Sequence, residues 1–413
     1  MKRGSTDYCL VVGIDKPAGM SSHDVVNRVR RVFGERRVGH TGTLDPMAEG
    51  VLPVCVGPAT RLDPYLTGHD KTYLVRIAFG IGTTTDDAEG EILRRGDVPA
   101  QLEDRAFAEL FVAQQVGKRK QLPPAYSAIK VNGKKAYEAA RQGSIIDLTP
   151  RDIEVIDARL IGIGRGYALP GEAVPEGGGE RTIVDLPWWD VEFRVSKGTY
   201  IRSLARDAGV ALGCPAHVAA LRRTVAGSLS IDECVSLETL AVEREAAALD
   251  PVKLLGFRFA FADGPLAARI ANGARLRADE LELFVRRRTS AALELCACTA
   301  GVRESCEAPE DGEIVSVIVE NKLAALYAFD ERLERRVRVP ERSVPWQLHI
   351  GSASTPPTIC SRAPAAPSAC STASTAGTAS CSTARANRRG ASAAASSSSP
   401  STSIRTSDSI PNA

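Results

Sequence analysis

Along residues 10–250 the hydrophobic positions switch between a period of two and a period near 3.6. Val25, Val26, Val29, Val32 and Phe33 share one helical stripe. Ser21 and Ser22 stand before Asp24 at its start and Gly34 closes it, which predicts a capped amphipathic helix. Tyr73, Val75, Ile77 and Phe79 alternate with Thr72, Leu74, Arg76 and Ala78, the pattern of a strand. Val191, Phe193 and Val195 alternate with charged residues and predict another. Ile201, Leu204, Ala205, Ala208 and Leu212 then return to helical spacing, with Gly213 as the stop. Val131-Asn132-Gly133-Lys134 is a hairpin-turn signal. Residues 164–187, rich in Gly and Pro, read as a long loop between strands. From about residue 251 the texture changes, and the segments 313–320 and 323–329 suggest a small β-rich module that ends near 342.

Composition narrows the class. The chain has 413 residues, 44% hydrophobic and 25% charged, enough for a sizeable core and for two or three domains. The formal charge is +2, and residues 343–413 contribute +4 of it, so the body carries −2. Any contact with nucleic acid must therefore come from local patches. Residues 351–413 contain no Leu, Val, Phe, Tyr, Trp, Met, Lys or Glu. Such a Ser/Ala/Thr-rich tail cannot bury enough apolar surface to offset its chain entropy, and disorder is expected over 343–413. The longest early apolar run, Cys9 to Ile14, is too short for a signal core or a membrane span. Ten cysteines are scattered without a CxxC pair. Cys296, Cys298 and Cys306 form a cluster lacking an obvious fourth ligand, so buried or surface thiols are preferred over zinc. A reduced, cytoplasmic protein is expected.

Polar chemistry concentrates in Gly39-His40-Thr41-Gly42-Thr43-Leu44-Asp45-Pro46-Met47-Ala48-Glu49-Gly50. Three glycines and a proline frame one aspartate. The segment reads either as a rigid loop presenting the Asp45 carboxylate or as a structural turn with a capping aspartate. A phosphate-binding loop would need a Gly-Lys-Ser/Thr ending, which is missing.

This segment closely resembles the active-site motif of the TruB family of pseudouridine synthases. Further blocks are similar in the family's order: Gly13 to His23 with its Lys16-Pro17 pair; Lys71-Thr72-Tyr73, Gly80 and Thr85 to Gly90; Gln121 to Ala128 and Lys130 to Ala136; Ser196 to Leu204; and Leu221-Arg222-Arg223-Thr224. Together they cover most of 10–240. The resemblance implies an α+β pseudouridine synthase fold, with a central, largely antiparallel mixed sheet in a catalytic domain over 1–250. A small PUA-like RNA-binding module would occupy 251–342. It also implies isomerisation of the T-loop uridine of tRNA, an intramolecular transfer that needs no cofactor and no metal.

By resemblance Asp45 is the nucleophile. Arg202 would hold it ionised. Tyr73 would stack on the extruded uracil and assist proton transfer, unless it is a core tyrosine. Tyr200 would contact substrate, Leu221 would form an apolar pocket wall, and Lys16 would brace the framework or meet a phosphate. His40 would help extract the base, or be a hydrogen-bonded loop histidine. Asp87 reads equally as a network residue or a turn aspartate. Basic runs over 16–37 and 118–141 could hold RNA phosphates, or be solvated faces. The expected partner is the tRNA T-arm, with no membrane, no guide RNA and a monomeric enzyme. A guide-dependent relative and an RNA-binding or RNA-folding module are the alternatives, disfavoured by the Gly39-His40-Thr41-Gly42 and Met47-Ala48-Glu49 segments and by the intact Asp45, Tyr73 and Arg202 set.

Overall fold

The computed structural model describes residues 8–127, 130–131, 134–135, 148–171, 182–277, 280–288, 293–298, 310–330 and 332–338. The tail beyond 342, the turn residues Asn132 and Gly133, and Cys306 lie outside them. In chain order the strands of the body are β1 (Leu10–Lys16), β2 (Val38–His40), β3 (Glu49–Val56), β4 (Lys71–Phe79), β5 (Ile81–Thr83), β6 (Ile92–Arg95), β7 (Gly117–Gln121), β8 (Lys130–Val131), β9 (Lys134–Lys135), β10 (Arg151–Ala168), β11 (Ile183–Val195), β12 (Ala216–Ala226), β13 (Leu229–Ser230) and β14 (Ala248–Leu249). Three helices matter for the site: α1 (Ser22–Phe33), α2 (Arg105–Ala113) and α3 (Ile201–Ala211).

The main sheet runs β14-β1-β3-β12-β4-β11-β10-β7, with β2 on β3 and β13 on β12. Every pairing is antiparallel except β3 with β12, where Arg222 and Arg223 lie parallel to Glu49 and Gly50. Strand periodicity sorts its two faces. Leu10, Val12, Leu52, Val54, Tyr73, Val75 and Ile77 point to one side, where they form a single core with Val25, Val26, Val29 and Phe33 of α1 and Ile201, Leu204 and Ala205 of α3. Each such side chain contributes about 1.5–3 kcal/mol by leaving water. Val11, Val51 and Cys55 point to the other side and pack on a second, smaller sheet. That sheet is built from β15 (Arg258–Phe261), β16 (Leu283–Arg288), β17 (Leu293–Cys298), β18 (Ile314–Val319), β19 (Lys322–Asp330) and β20 (Arg332–Arg338), in the order β17-β16-β15-β18-β19-β20. Phe259, Ile318, Leu323 and Leu326 bring it against the body. β3 is buried from both sides, which is why its sequence is a continuous apolar run rather than an alternating one.

Several local expectations are met. Ser21 caps α1 in a reciprocal capping box with Asp24, and Gly34 ends it in the left-handed region at φ 65°. β8 pairs with β9 around the Asn132-Gly133 position. The strands predicted at 313–320 and 323–329 are β18 and β19. The connection predicted over 164–187 is shorter than expected. β10 continues to Ala168 and β11 begins at Ile183, so only 169–182 separate them. The glycines misled because they serve close approach within a ladder. Gly164 pairs with Trp188, and a Cβ there would sit 2.3 Å from the indole ring. Pro187 is accommodated within β11 opposite Arg165, at a register irregularity.

Gly50, the second residue of β3, has φ 99°, and a Cβ would come within 2.2 Å of the Arg223 carbonyl oxygen across the parallel β3–β12 contact. Alanine at Gly50 should therefore cost about 3 kcal/mol or more, combining left-handed backbone strain with a clash against backbone that cannot move. Chemical denaturation of the Gly50→Ala variant would measure it, and a loss below about 1 kcal/mol would contradict this account.

Candidate active site

The loop between β2 and β3 carries Asp45, and its shape is fixed from below. Ser22, the first residue of α1, both donates to the Leu44 carbonyl at 2.9 Å and accepts from the Leu44 N–H at 2.8 Å. The Lys16 ammonium, at the end of β1, donates to the carbonyls of Pro17 (2.9 Å), Met20 (2.6 Å) and Pro46 (3.1 Å). Gly19 N–H also reaches the Pro46 carbonyl, and the Ala48 N–H closes a turn onto the Asp45 carbonyl. Arg223, fully buried, donates to the Val51 and Gly42 carbonyls. Lys16 is 0% exposed and its three donors are spent on backbone, so of the two roles expected for it, bracing the framework or meeting a phosphate, the geometry is that of a brace. Burial pushes its pKa down to about 8, with Glu89, Asp45 and Glu49 opposing the shift.

Arg202 enters from the first turn of α3, 157 residues further on. Its Nε and Nη2 fork onto the two Asp45 carboxylate oxygens at 2.9 and 3.0 Å. Nη2 also donates to the Tyr126 carbonyl, and Nη1 to the Thr85 carbonyl at 3.0 Å and toward Asp87 Oδ2 at 3.4 Å. The guanidinium side chain is 6% exposed, whereas the Asp45 side chain keeps 32%. One cation thus sits behind two carboxylates, and only Asp45 retains an open side. Burial raises the Asp45 pKa and nearby Asp87 raises it further, while Arg202 and Lys16 pull it down. Burial likewise raises the carboxyl of Glu89. Asp87 is a network residue: its carboxylate also accepts from Thr85 Oγ1 and the Glu89 N–H.

The other expected residues are distributed as follows. Tyr73, 8% exposed, lies on the core face of β4 in the cluster that contains Leu44, Ala48 and Leu221. Leu221, on β12 opposite Val75, is 6% exposed. Tyr200 stands at the N-terminus of α3, its backbone N–H and carbonyl both held by the Gln121 side-chain amide at 2.9 and 3.0 Å. His40 ends β2, half-buried; burial lowers its pKa, and its Nδ1 is buried with no hydrogen-bond partner among the described residues. Reading the sequence by motif missed Gln121, Ser22 and the Thr85 and Tyr126 carbonyls. Gln121 opens a family-like block and Ser22 opens a helix, but backbone acceptors leave no signal in side-chain identity. Of the basic run 118–141, residues 118–120 lie on β7, where Lys120 is exposed and paired with Asp152, and 136–141 fall outside the described residues. Cys296 and Cys298 fall on β17. Among the described residues no group of three or more His, Cys, Asp or Glu is arranged to hold a metal ion, and no helix is long and apolar enough to cross a membrane.

Beside the loop, an open cleft of about 740 Å³ is lined by Gly19, Met47, Glu49, Glu89, Leu221 and Arg222, and continues over Leu74, Arg76 and Asp190.

Residues 30–201 match the model of the TruB family pseudouridylate synthase N-terminal domain, and residues 202–253 that of the tRNA pseudouridylate synthase B C-terminal domain. The tRNA pseudouridine synthase B of Deinococcus radiodurans is 41% identical over 276 residues, 64% of this chain and 88% of that protein. The protein of the same name from Thermobifida fusca is 43% identical over 268 residues, 64% and 86% of the two chains. Among solved structures, a Cbf5-Nop10-Gar1 complex superposes with a TM-score of 0.52 at 22% identity, covering 81% of this chain and 85% of that one, a likeness of fold. The chain belongs to the TruB family of pseudouridylate synthases.

Because the raised Asp45 pKa is restrained by Arg202, replacing Arg202 with Gln should push it higher still. The carboxylate would then be protonated at higher pH. The acid limb of the pH–rate profile should move to higher pH in Arg202→Gln, with a rate loss of about 10²-fold or more at neutral pH. An unmoved limb would show that the fork does not set the charge of Asp45.

Proposed function

We propose that this TruB-family chain isomerises the T-loop uridine of tRNA, position 55, to pseudouridine, with Asp45 as the nucleophile on a flipped-out base. The observation that carries the reading is the fork of Arg202 on Asp45. It opposes the rise that burial imposes on the Asp45 pKa and fixes a partly exposed carboxylate on the loop that borders the cleft, as nucleophilic or charge-stabilising chemistry requires. The relatives named tRNA pseudouridine synthase B support tRNA as the substrate.

In this reaction the N1–C1′ bond breaks, the uracil turns while bound, and C5 joins C1′. The proton lost from C5 is balanced by one gained at N1, so no redox partner or cofactor enters. Asp45 stabilises or attacks the electron-deficient centre when the glycosidic bond opens. Tyr73 and Leu221 form the apolar surface against which the uracil rests, with the Tyr73 hydroxyl serving proton transfer from C5. Tyr200, fixed by Gln121, contacts the nucleotide. His40, kept neutral by burial, takes the place of the extruded base in the RNA stack. Extrusion costs a few kcal/mol, which phosphate contacts made by the basic runs offset. The small C-terminal sheet acts as a PUA-like RNA-binding module. The enzyme works as a cytoplasmic monomer without a guide RNA.

The test is single-turnover conversion of an unmodified tRNA transcript by the full chain, with pseudouridine mapped by chemical modification and primer extension. The wild type should convert one T-loop uridine. Asp45→Asn should lose more than about 10³-fold in rate while binding the transcript within a few-fold of wild type. Binding without conversion by the wild type would overturn the reading in favour of an RNA-binding module or a guide-dependent enzyme.

A further inference from the structure

The sheet face opposite the helices carries a second built arrangement that the chemistry at Asp45 does not use. Arg76 on β4 pairs in register with Asp190 on β11. Its Nε and Nη2 fork onto Asp190 Oδ1 and Oδ2, both at 2.8 Å. The guanidinium carbon sits 3.9 Å from the centroid of the Trp188 ring. The indole is backed in turn by Gly164, whose missing Cβ leaves the space the ring occupies. Trp188 thus touches both Gly164 and Arg76, and Arg76 and Asp190 line the cleft. The Arg76 side chain keeps 37% exposure.

Two features decide what this surface can receive. The guanidinium is held flat by a bidentate partner and an aromatic ring, so its orientation is fixed before any ligand arrives. Its charge is already matched by Asp190, which leaves little net attraction for a phosphate. A fixed, planar, charge-compensated guanidinium suits stacking against another flat group, and nucleobases stack on Arg planes. The same cleft includes Met47, two residues from Asp45, and Glu89, whose carboxyl feels the Asp45 charge. The cleft thus extends from Arg76 to residues that adjoin the Asp45 loop, where nucleotides neighbouring a uridine at Asp45 can lie.

We propose that the Arg76 guanidinium, laid on Trp188 and clamped by Asp190, is a stacking platform for the nucleobase of a nucleotide flanking the isomerised uridine. This rests on the RNA-modifying reading given above. The platform recognises a base without reading its edge, so it selects for an unpaired or unstacked neighbour rather than for sequence.

The test measures binding of a T-arm hairpin RNA to the full chain carrying Asp45→Asn, which prevents turnover. Nucleotides flanking the target are made abasic one at a time, and Arg76→Ala and Arg76→Lys are each added to the protein. One abasic position should weaken binding about tenfold, and Arg76→Ala should weaken it equally for intact RNA but add nothing to the loss at that position. Arg76→Lys should behave like Arg76→Ala, because an ammonium keeps the charge without the plane. The slope of log Kd against log salt should be unchanged in both. A slope reduced by about one, with Arg76→Lys restoring affinity, would overturn the proposal in favour of a phosphate contact. Absence of any coupled abasic position would overturn it in favour of a structural ion pair. The abasic series requires no change at Arg76, so a misfolded variant does not decide the outcome. Conversion of the same hairpin by wild type is followed alongside. Coupling without conversion would keep the platform and remove the functional reading; conversion without coupling would do the reverse.

Discussion

The organisation of the site follows from one constraint: a partly buried carboxylate needs partners in place of water. A carboxylate taken out of water is costly unless a cation and hydrogen-bond donors replace the solvent. Here a single guanidinium does this for two acids. Every Arg202 nitrogen is engaged, by Asp45, Asp87 and the carbonyls of Thr85 and Tyr126. Those acceptors come from three separate stretches of chain, so the position of Arg202 is overdetermined and that of Asp45 is inherited from it. Lys16 has the complementary task. It does not touch the Asp45 carboxylate but ties the carbonyl of the next residue to the end of β1, which fixes the loop's path while Arg202 fixes the acid.

Much of this was legible in the residues, for reasons that differ between elements. α1 and α3 have whole apolar stripes, α1 with a cap and both with a stop residue, and both formed where the pattern put them. β4 alternates cleanly because one face meets the helices and the other meets the cleft. The stretch around 164–187 was misread because glycine and proline are ambiguous letters. They mark turns when the backbone must bend, and they mark close packing when a neighbour needs the space, as Trp188 does over Gly164. Only the cross-strand partner distinguishes the two. Lys16 was ambiguous for a similar reason. A lysine beside a Gly-rich loop reads as a brace or as a ligand for phosphate, and nothing local announces that three carbonyls close over it.

Charge behaves the same way. The body carries a slight negative excess, and the basic residues nearest the site are largely committed to internal partners: Arg202 to Asp45 and Asp87, Arg222 to Asp15 and Glu49, Arg76 to Asp190, Arg223 to backbone. The cleft is therefore lined by neutralised pairs rather than by free cations. Such a surface favours shape and stacking over bulk electrostatic attraction, and leaves the latter to residues outside the cleft.

The position of β12 in the main sheet has a consequence for how the protein is made. β3 and β4 are consecutive long strands of that sheet, yet they do not pair with each other; β12, synthesised some 140 residues after β4 begins, lies between them. A nascent chain that has emerged only as far as β11 holds two unfinished sheet edges facing a gap, and lacks Arg202 altogether. The sheet closes, and the carboxylate acquires its counter-ion, in nearly the same stretch of translation. Until α3 and β12 are made the nascent chain lacks both the counter-ion of Asp45 and the strand that fills the gap, and the interval before closure is when those edges are most exposed to mispairing with other chains.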